Sequence, residues 1–146
     1  MVVHVWAALA AFQVQAAGTG GRAVPASLRT VIEGALAGVE PALVRIEVVA
    51  ASYGDGREVK HQGSGSGVII TKEGHIITNH HVAGHAVRLI CTLADNEEIP
   101  AELVGSDPLA DIAIIKLQPP RPREFPVAEF GDSDLVKVGD YVLAMG

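Results

Sequence analysis

The chain has 146 residues, one domain's worth, with 11 Lys and Arg against 17 Asp and Glu for a formal charge of −6. That balance gives no cationic footprint for nucleic acid, and 49% apolar with 19% charged residues excludes a mainly disordered chain. The 16 glycines and 8 prolines favour a turn-rich β protein over a helical bundle, and a single cysteine, Cys91, excludes an internal disulfide and a cysteine-rich zinc site.

In chain order, residues 1–17 (MVVHVWAALAAFQVQAA) hold an apolar run over 2–12 that is too short to span a membrane as a mature helix. Small residues follow, with Val14 and Ala16 spaced like the −3 and −1 positions of a signal-peptidase site, although no Lys or Arg precedes the run. The expectation is an export signal over 1–17, with Trp6 inside it; the alternatives are a mis-assigned start codon or a fraying terminal segment. Export would make the working chain periplasmic or extracellular, with Cys91 unpaired and buried. Residues 18–26 (GTGGRAVPA) read as a linker, and 27–146 as the folded domain. Ser27 is placed to cap a helix in which Leu28, Val31, Ile32, Ala35 and Leu36 recur at helical spacing, and Gly38 and Pro41 end it.

Residues 42–50 (ALVRIEVVA) predict a strand, and the polar, glycine-rich stretch 53–65 a loop. Strands at 67–71 and 75–79 form a hairpin around Lys72-Glu73-Gly74. Residues 80–86 make a short turn with room for one helical turn. A strand at 87–93, a turn with Asp95 and Asn96, a strand at 99–104 and a turn at 105–108 follow. The strongly apolar 111–117 (DIAIIKL) predicts a buried strand, 119–126 a proline-rich surface loop, and 136–145 a last strand. Short strands at regular spacing predict an all-β antiparallel barrel or sandwich behind a short N-terminal helix.

Four of the six histidines fall between His75 and His85. His81 sits just past an apolar strand, and Asp111 opens another, so both are polar groups at strand mouths. An imidazole pinned by a carboxylate is what nucleophilic catalysis needs, because the carboxylate fixes the tautomer and stabilises the imidazolium. Gly65-Ser66-Gly67-Val68-Ile69-Ile70, Thr78-Asn79-His80-His81-Val82, Asp107-Pro108 with Asp111-Ile112-Ala113-Ile114-Ile115-Lys116-Leu117, Gly131-Asp132-Ser133 and Val138-Gly139-Asp140-Tyr141-Val142-Leu143-Ala144-Met145-Gly146 come in that order. This succession resembles the HtrA/Deg family of trypsin-like serine proteases, over roughly 27–146.

The resemblance implies a chymotrypsin-like fold of paired antiparallel barrels, of which this chain carries the first. It places the general base on His81 and the orienting acid on Asp111; His80 stands at a variable position and inherits no role. It implies an exported endopeptidase that degrades unfolded or misfolded proteins, assembles as a homotrimer through its N-terminal region, and needs no cofactor, metal or nucleic acid. The sequence departs from the family in lacking a Gly-Asn-Ser-Gly-Gly block. The expectation is therefore an N-terminal fragment with two members of a triad, truncated before the second barrel and any PDZ domain, and inactive alone.

Ser64 and Ser66 in Gly63-Ser64-Gly65-Ser66-Gly67 do not form a nucleophile elbow, since the flanking pattern is wrong and a strand follows instead of a helix. Ser133, followed by Asp134, reads as a turn residue. Asp107 competes with Asp111 as the acid, but it precedes a proline in a turn. His81 and His85, four apart, could pair on a metal, although Val82 stands where an H-E-x-x-H site has its glutamate. A non-catalytic half-barrel that binds peptides or joins an oligomer is the remaining alternative. Cys91 reads as an inert core thiol, and Arg121 and Arg123 as solvated.

Overall fold

The computed structural model describes residues 25–54 and 57–146. The export signal at 1–17 and nearly all of the linker at 18–26 lie outside the described residues. Helix α1, Ala26–Val39, comes first. Its cap position is Pro25, not Ser27, with no side-chain capping bond, and its only buried residue is Val39. A single 3-10 turn at Glu40–Ala42, with Pro41 in its first turn, redirects the chain into the sheet.

Six strands follow: β1 Leu43–Gly54, β2 Arg57–Ile69, β3 His75–Thr78, β4 Ala86–Thr92, β5 Glu98–Asp107 and β6 Ile112–Leu117. They close into a barrel in the order β1-β2-β3-β6-β5-β4, every pairing antiparallel. One helical turn, α2 at His80–Ala83, bridges β3 and β4. Among the described residues no helix is long and apolar enough to cross a membrane.

The barrel interior comes from alternate residues of each strand, as the two-residue side-chain period requires. Val44, Ile46 and Val48 of β1, Leu89 and Cys91 of β4, and Ala113, Ile115 and Leu117 of β6 all point inward and are buried. Ile46, Ile69, Ile76, Cys91 and Ile115 are fully enclosed. Burial pushes the Cys91 thiol up to about 12, consistent with an inert core position.

The structure corrects three of the expected strand and loop assignments. Residues 53–54 and 57–65, expected in a loop, are strand: β2 pairs with β1 from Leu43↔Val68 to Gly54↔Arg57. The polar side chains hid this because residues 59–64 are exposed and carry no buried alternation. Residues 105–107 are not the expected turn: strand β5 runs on through Gly105 to Asp107, with a register irregularity between Leu103 and Gly105. Residues 136–145 form no strand. A closed barrel leaves no free edge to pair with, and Val138, Tyr141 and Val142 are exposed.

The proline-rich loop runs over the surface as expected, but it drops Phe125 and Ala128 onto the barrel end, where both are buried. Phe125 N donates to Lys72 O and Ala128 N to Ile69 O. Gly74 sits beneath the Phe125 ring at φ 86, where an added Cβ would meet ring carbons at 3.0 Å. Arg123 is not simply solvated: it pairs with Glu97 and lies 4.7 Å over the Phe125 ring.

Candidate functional site

The β3–β6 register builds the site. Thr78 lies opposite Ala113, so the residues just beyond, 79–81 on one side and Asp111 on the other, emerge together at one barrel mouth. Thr78 itself is buried, and its hydroxyl donates to Ser66 O at 2.8 Å, tying β3 to β2. The chain then turns into α2, which presents His81 to solvent while Ala83 is fully buried.

His81 and Asp111, the two residues singled out in the sequence, are brought into direct contact. His81 Nδ1 lies 2.7 Å from Asp111 Oδ2, and the His81 backbone N donates to Asp111 Oδ1 at 2.9 Å. One carboxylate thus holds the ring and the backbone of the same residue. Because Asp111 Oδ2 is an acceptor, the neutral ring carries its proton on Nδ1 and turns a basic Nε2 outward. The bonds from the His81 backbone and ring, with a smaller one from Asn79, hold the Asp111 carboxyl below the usual range against a modest opposing desolvation.

Asp111 adopts φ 53, a left-handed conformation uncommon outside glycine. Aspartate tolerates it better than most residues, but the strain is still of order 1 kcal/mol. The twist lets Asp111 accept two amides of α2 at once, His80 N on its carbonyl at 3.1 Å and His81 N on its carboxylate. It therefore caps α2 from the residue just before β6, satisfying amides that a helix start leaves open.

Asn79 is the residue that sequence reasoning quoted within a block without giving it a role. Its Nδ2 donates to Asp111 O at 3.1 Å and to Asp111 Oδ2 at 3.2 Å. An Asn just before a helical turn was the available signal, but it pointed to capping, and Asn79 makes no side-chain capping bond.

The other sequence candidates separate cleanly. Asp107 Oδ1 accepts from Leu109 N and Ala110 N, so it shapes its own turn. The His85 ring packs edge-on against His80 at 5.1 Å, and His75 Nδ1 contacts Thr71 Oγ1. Among the described residues no group of three or more His, Cys, Asp or Glu is arranged to hold a metal ion. Ser133 opens a 3-10 turn whose cap, Asp132, accepts from Asp134 N. A cleft of about 190 Å³ opens beside the pair, lined in part by His61, Ser64, His81 and Val82. Packing behind Val82 is tight: a Cβ on Gly65 would fall 2.7 Å from both Val82 methyls.

Comparison with known proteins agrees with the barrel fold. Residues 65–146 match the family model described as "Trypsin-like peptidase domain". The chain is 43% identical over 96 residues to a probable periplasmic serine endoprotease DegP-like of Pseudomonas fulva, covering 66% of this chain and 19% of that relative. It is 40% identical over 82 residues to the similarly named protein of Brucella suis, covering 56% of this chain and 16% of that relative. The chain thus spans about a fifth of the length of the curated relatives it matches. Among solved structures, an HtrA-type protease with a bound tripeptide aligns over 74% of this chain and 32% of its own, at 31% identity and a TM-score of 0.64.

Proposed function

The chain belongs to the trypsin-like peptidase family, in its HtrA/Deg branch, and from that premise we propose that it carries the general base, His81, and the orienting acid, Asp111, of a serine endopeptidase. The supporting observation is the double hold of Asp111 on His81, at 2.7 Å on the ring and 2.9 Å on the backbone. In acylation His81 Nε2 takes the proton of a serine hydroxyl as its oxygen attacks the scissile carbonyl. The imidazolium then passes that proton to the leaving amine, so the bond broken is the amide and the bond formed is the serine ester. Asp111 stays ionised throughout and stabilises the charged ring. The 146 residues hold no Gly-Asn-Ser-Gly-Gly sequence, so the serine and the oxyanion-binding amides come from polypeptide outside them.

The same reading makes 27–146 the first barrel of the peptidase and 1–17 its export signal. It places the enzyme in the periplasm, where the relatives' names put them, with unfolded proteins as substrates. Helix α1, largely uncovered with Val31 exposed, is the surface through which copies associate. The test begins by sequencing the reading frame past the Gly146 codon and expressing its full product. Casein cleavage by that product should fall by about 10⁴-fold in Asp111→Asn, the scale of the equivalent change in the chymotrypsin triad, and comparably in His81→Ala. Undiminished cleavage by His81→Ala would end the assignment.

A further inference from the structure

We propose that Asn79 is a positioning residue for the His81–Asp111 pair: its side-chain amide locks Asp111 in the left-handed conformation from which one carboxylate holds both the ring and the backbone of His81. The inference rests on the serine peptidase reading, since it concerns how that base is aimed.

The argument starts from where Asn79 stands. It occupies the cap position of α2, where an asparagine ordinarily accepts an amide of the first turn with its side-chain oxygen. Here it makes no such bond. Asp111 has taken the His80 and His81 amides, and the Asn79 main-chain carbonyl accepts those of Val82 and Ala83. The side chain is released from capping, and its Nδ2 bridges the carbonyl and the carboxylate of a single residue, Asp111. Both partners are acceptors, so only the NH₂ end of the amide fits there and its orientation is fixed.

A donor that spans main chain and side chain of one residue fixes the two relative to each other. Asp111 needs that restraint: its φ is 53, and its side chain is 46% exposed and would otherwise turn toward water. Asn79 Nδ2 also occupies one lone pair of Oδ2, which leaves the other directed at His81 Nδ1. The cost is visible on the same side chain. Asn79 Oδ1 is buried with no hydrogen-bond partner among the described residues. A capping or space-filling role would not leave that acceptor unpaired, whereas a residue retained for its donor would.

The experiment uses the 146-residue chain labelled with ¹⁵N-histidine, reading the His81 ring-nitrogen shifts in mildly alkaline buffer alongside a thermal melt. The unsubstituted chain should show one neutral tautomer, protonated at Nδ1. Asn79→Ser is the decisive variant, because serine is a good helix cap but is too short to reach Asp111. We expect Asn79→Ser to lose the single tautomer and give a mixture while melting close to the parent, and Asn79→Ala to lose it as well. A purely structural capping role predicts the reverse, with serine restoring the parent behaviour. Retention of one Nδ1–H tautomer in both variants overturns the proposal, and so does failure of both to fold, which would make Asn79 a residue of the barrel itself. Neither result touches the peptidase reading, which stands or falls on cleavage by the His81 and Asp111 variants.

Discussion

The contact between Gly65 and Val82 is where the barrel wall and the base-bearing turn meet most tightly. An alanine at 65 would put its Cβ 2.7 Å from both Val82 γ-methyls, so β2 and α2 have to separate by ~0.7 Å to reach an ordinary contact of 3.4 Å. Rotating Val82 brings no relief, because a β-branched side chain in a helical turn has one favoured rotamer. Strand β2 is the stiffer partner, paired with β1 at Ile46↔Gly65 and bonded to Thr78 through Ser66 O. Helix α2 therefore yields, and His81, adjacent to Val82, moves with it. A displacement of that size stretches the 2.7 Å bond to Asp111 past the hydrogen-bonding range. Overpacking of this kind costs about 1–3 kcal/mol. Val82→Ala alone removes two partly buried methyls and costs at most ~1.6 kcal/mol, while making room for the new Cβ. Urea unfolding of the two single variants and Gly65→Ala/Val82→Ala should show the double variant more stable than the summed losses by at least about 1 kcal/mol, with the His81 tautomer restored. Additivity within ~0.5 kcal/mol, the behaviour of independent sites, would refute the steric argument.

Three further outcomes follow from the same structure. Cys91, fully buried with its thiol at about 12, should react with iodoacetamide at pH 8 on the order of 10³-fold more slowly in the native chain than in urea, since its thiolate fraction falls from ~0.2 to ~10⁻⁴; equal rates would place it at the surface. Ile115→Ala, at a fully enclosed position, should cost about 2–5 kcal/mol in chemical unfolding. The folded-state lowering of the Asp111 carboxyl means that its stabilisation is complete above the ordinary carboxylate pKa of ~3.9 and is lost as pH falls through the lower folded value. A melt series from about pH 5 to pH 2 should therefore lose an increment of stability that Asp111→Asn does not show, and parallel curves would contradict the hydrogen bonds drawn to that carboxylate.

How much of this was legible in the sequence depended on where the information lay. The strands with an inward-facing alternation, such as Val44, Ile46 and Val48 or Ala113, Ile115 and Leu117, declare themselves locally because burial writes the period into the side chains. Strand β2 does not, because residues 59–64 are exposed and show no buried alternation, and Gly65 and Gly67 serve close approach: a Cβ on Gly67 would fall 2.6 Å from Ile76. Residues 136–145 err in the other direction. Their valines fit a strand template, but β1 pairs both β2 and β4, so the ring of strands is closed. His81 and Asp111 were legible as a pair, through their block order and their places at strand mouths. The left-handed Asp111, its capping of α2 and the diversion of Asn79 were not, since each is a relation between residues some 30 apart with no local pattern.

That separation in sequence shows what the site is built on. Asp111 immediately precedes β6, and Asn79 immediately follows β3, so the Thr78↔Ala113 pairing sets the distance between them. The His80 N to Asp111 O bond continues the same ladder one step past the last strand pair. A strand advances about 3.3 Å per residue and alternates faces. A slip of one residue would therefore carry Asp111 beyond reach of His81 and turn β6's apolar set out of the barrel. The residues that forbid the slip are Ile76, Ala113 and Ile115, all fully enclosed, with Thr78 buried and bonded across to Ser66. The alignment of the base is thus specified by the barrel core, and the polar contacts at the mouth, Asn79 to Asp111 and Asp111 to His81, refine what the register has already placed.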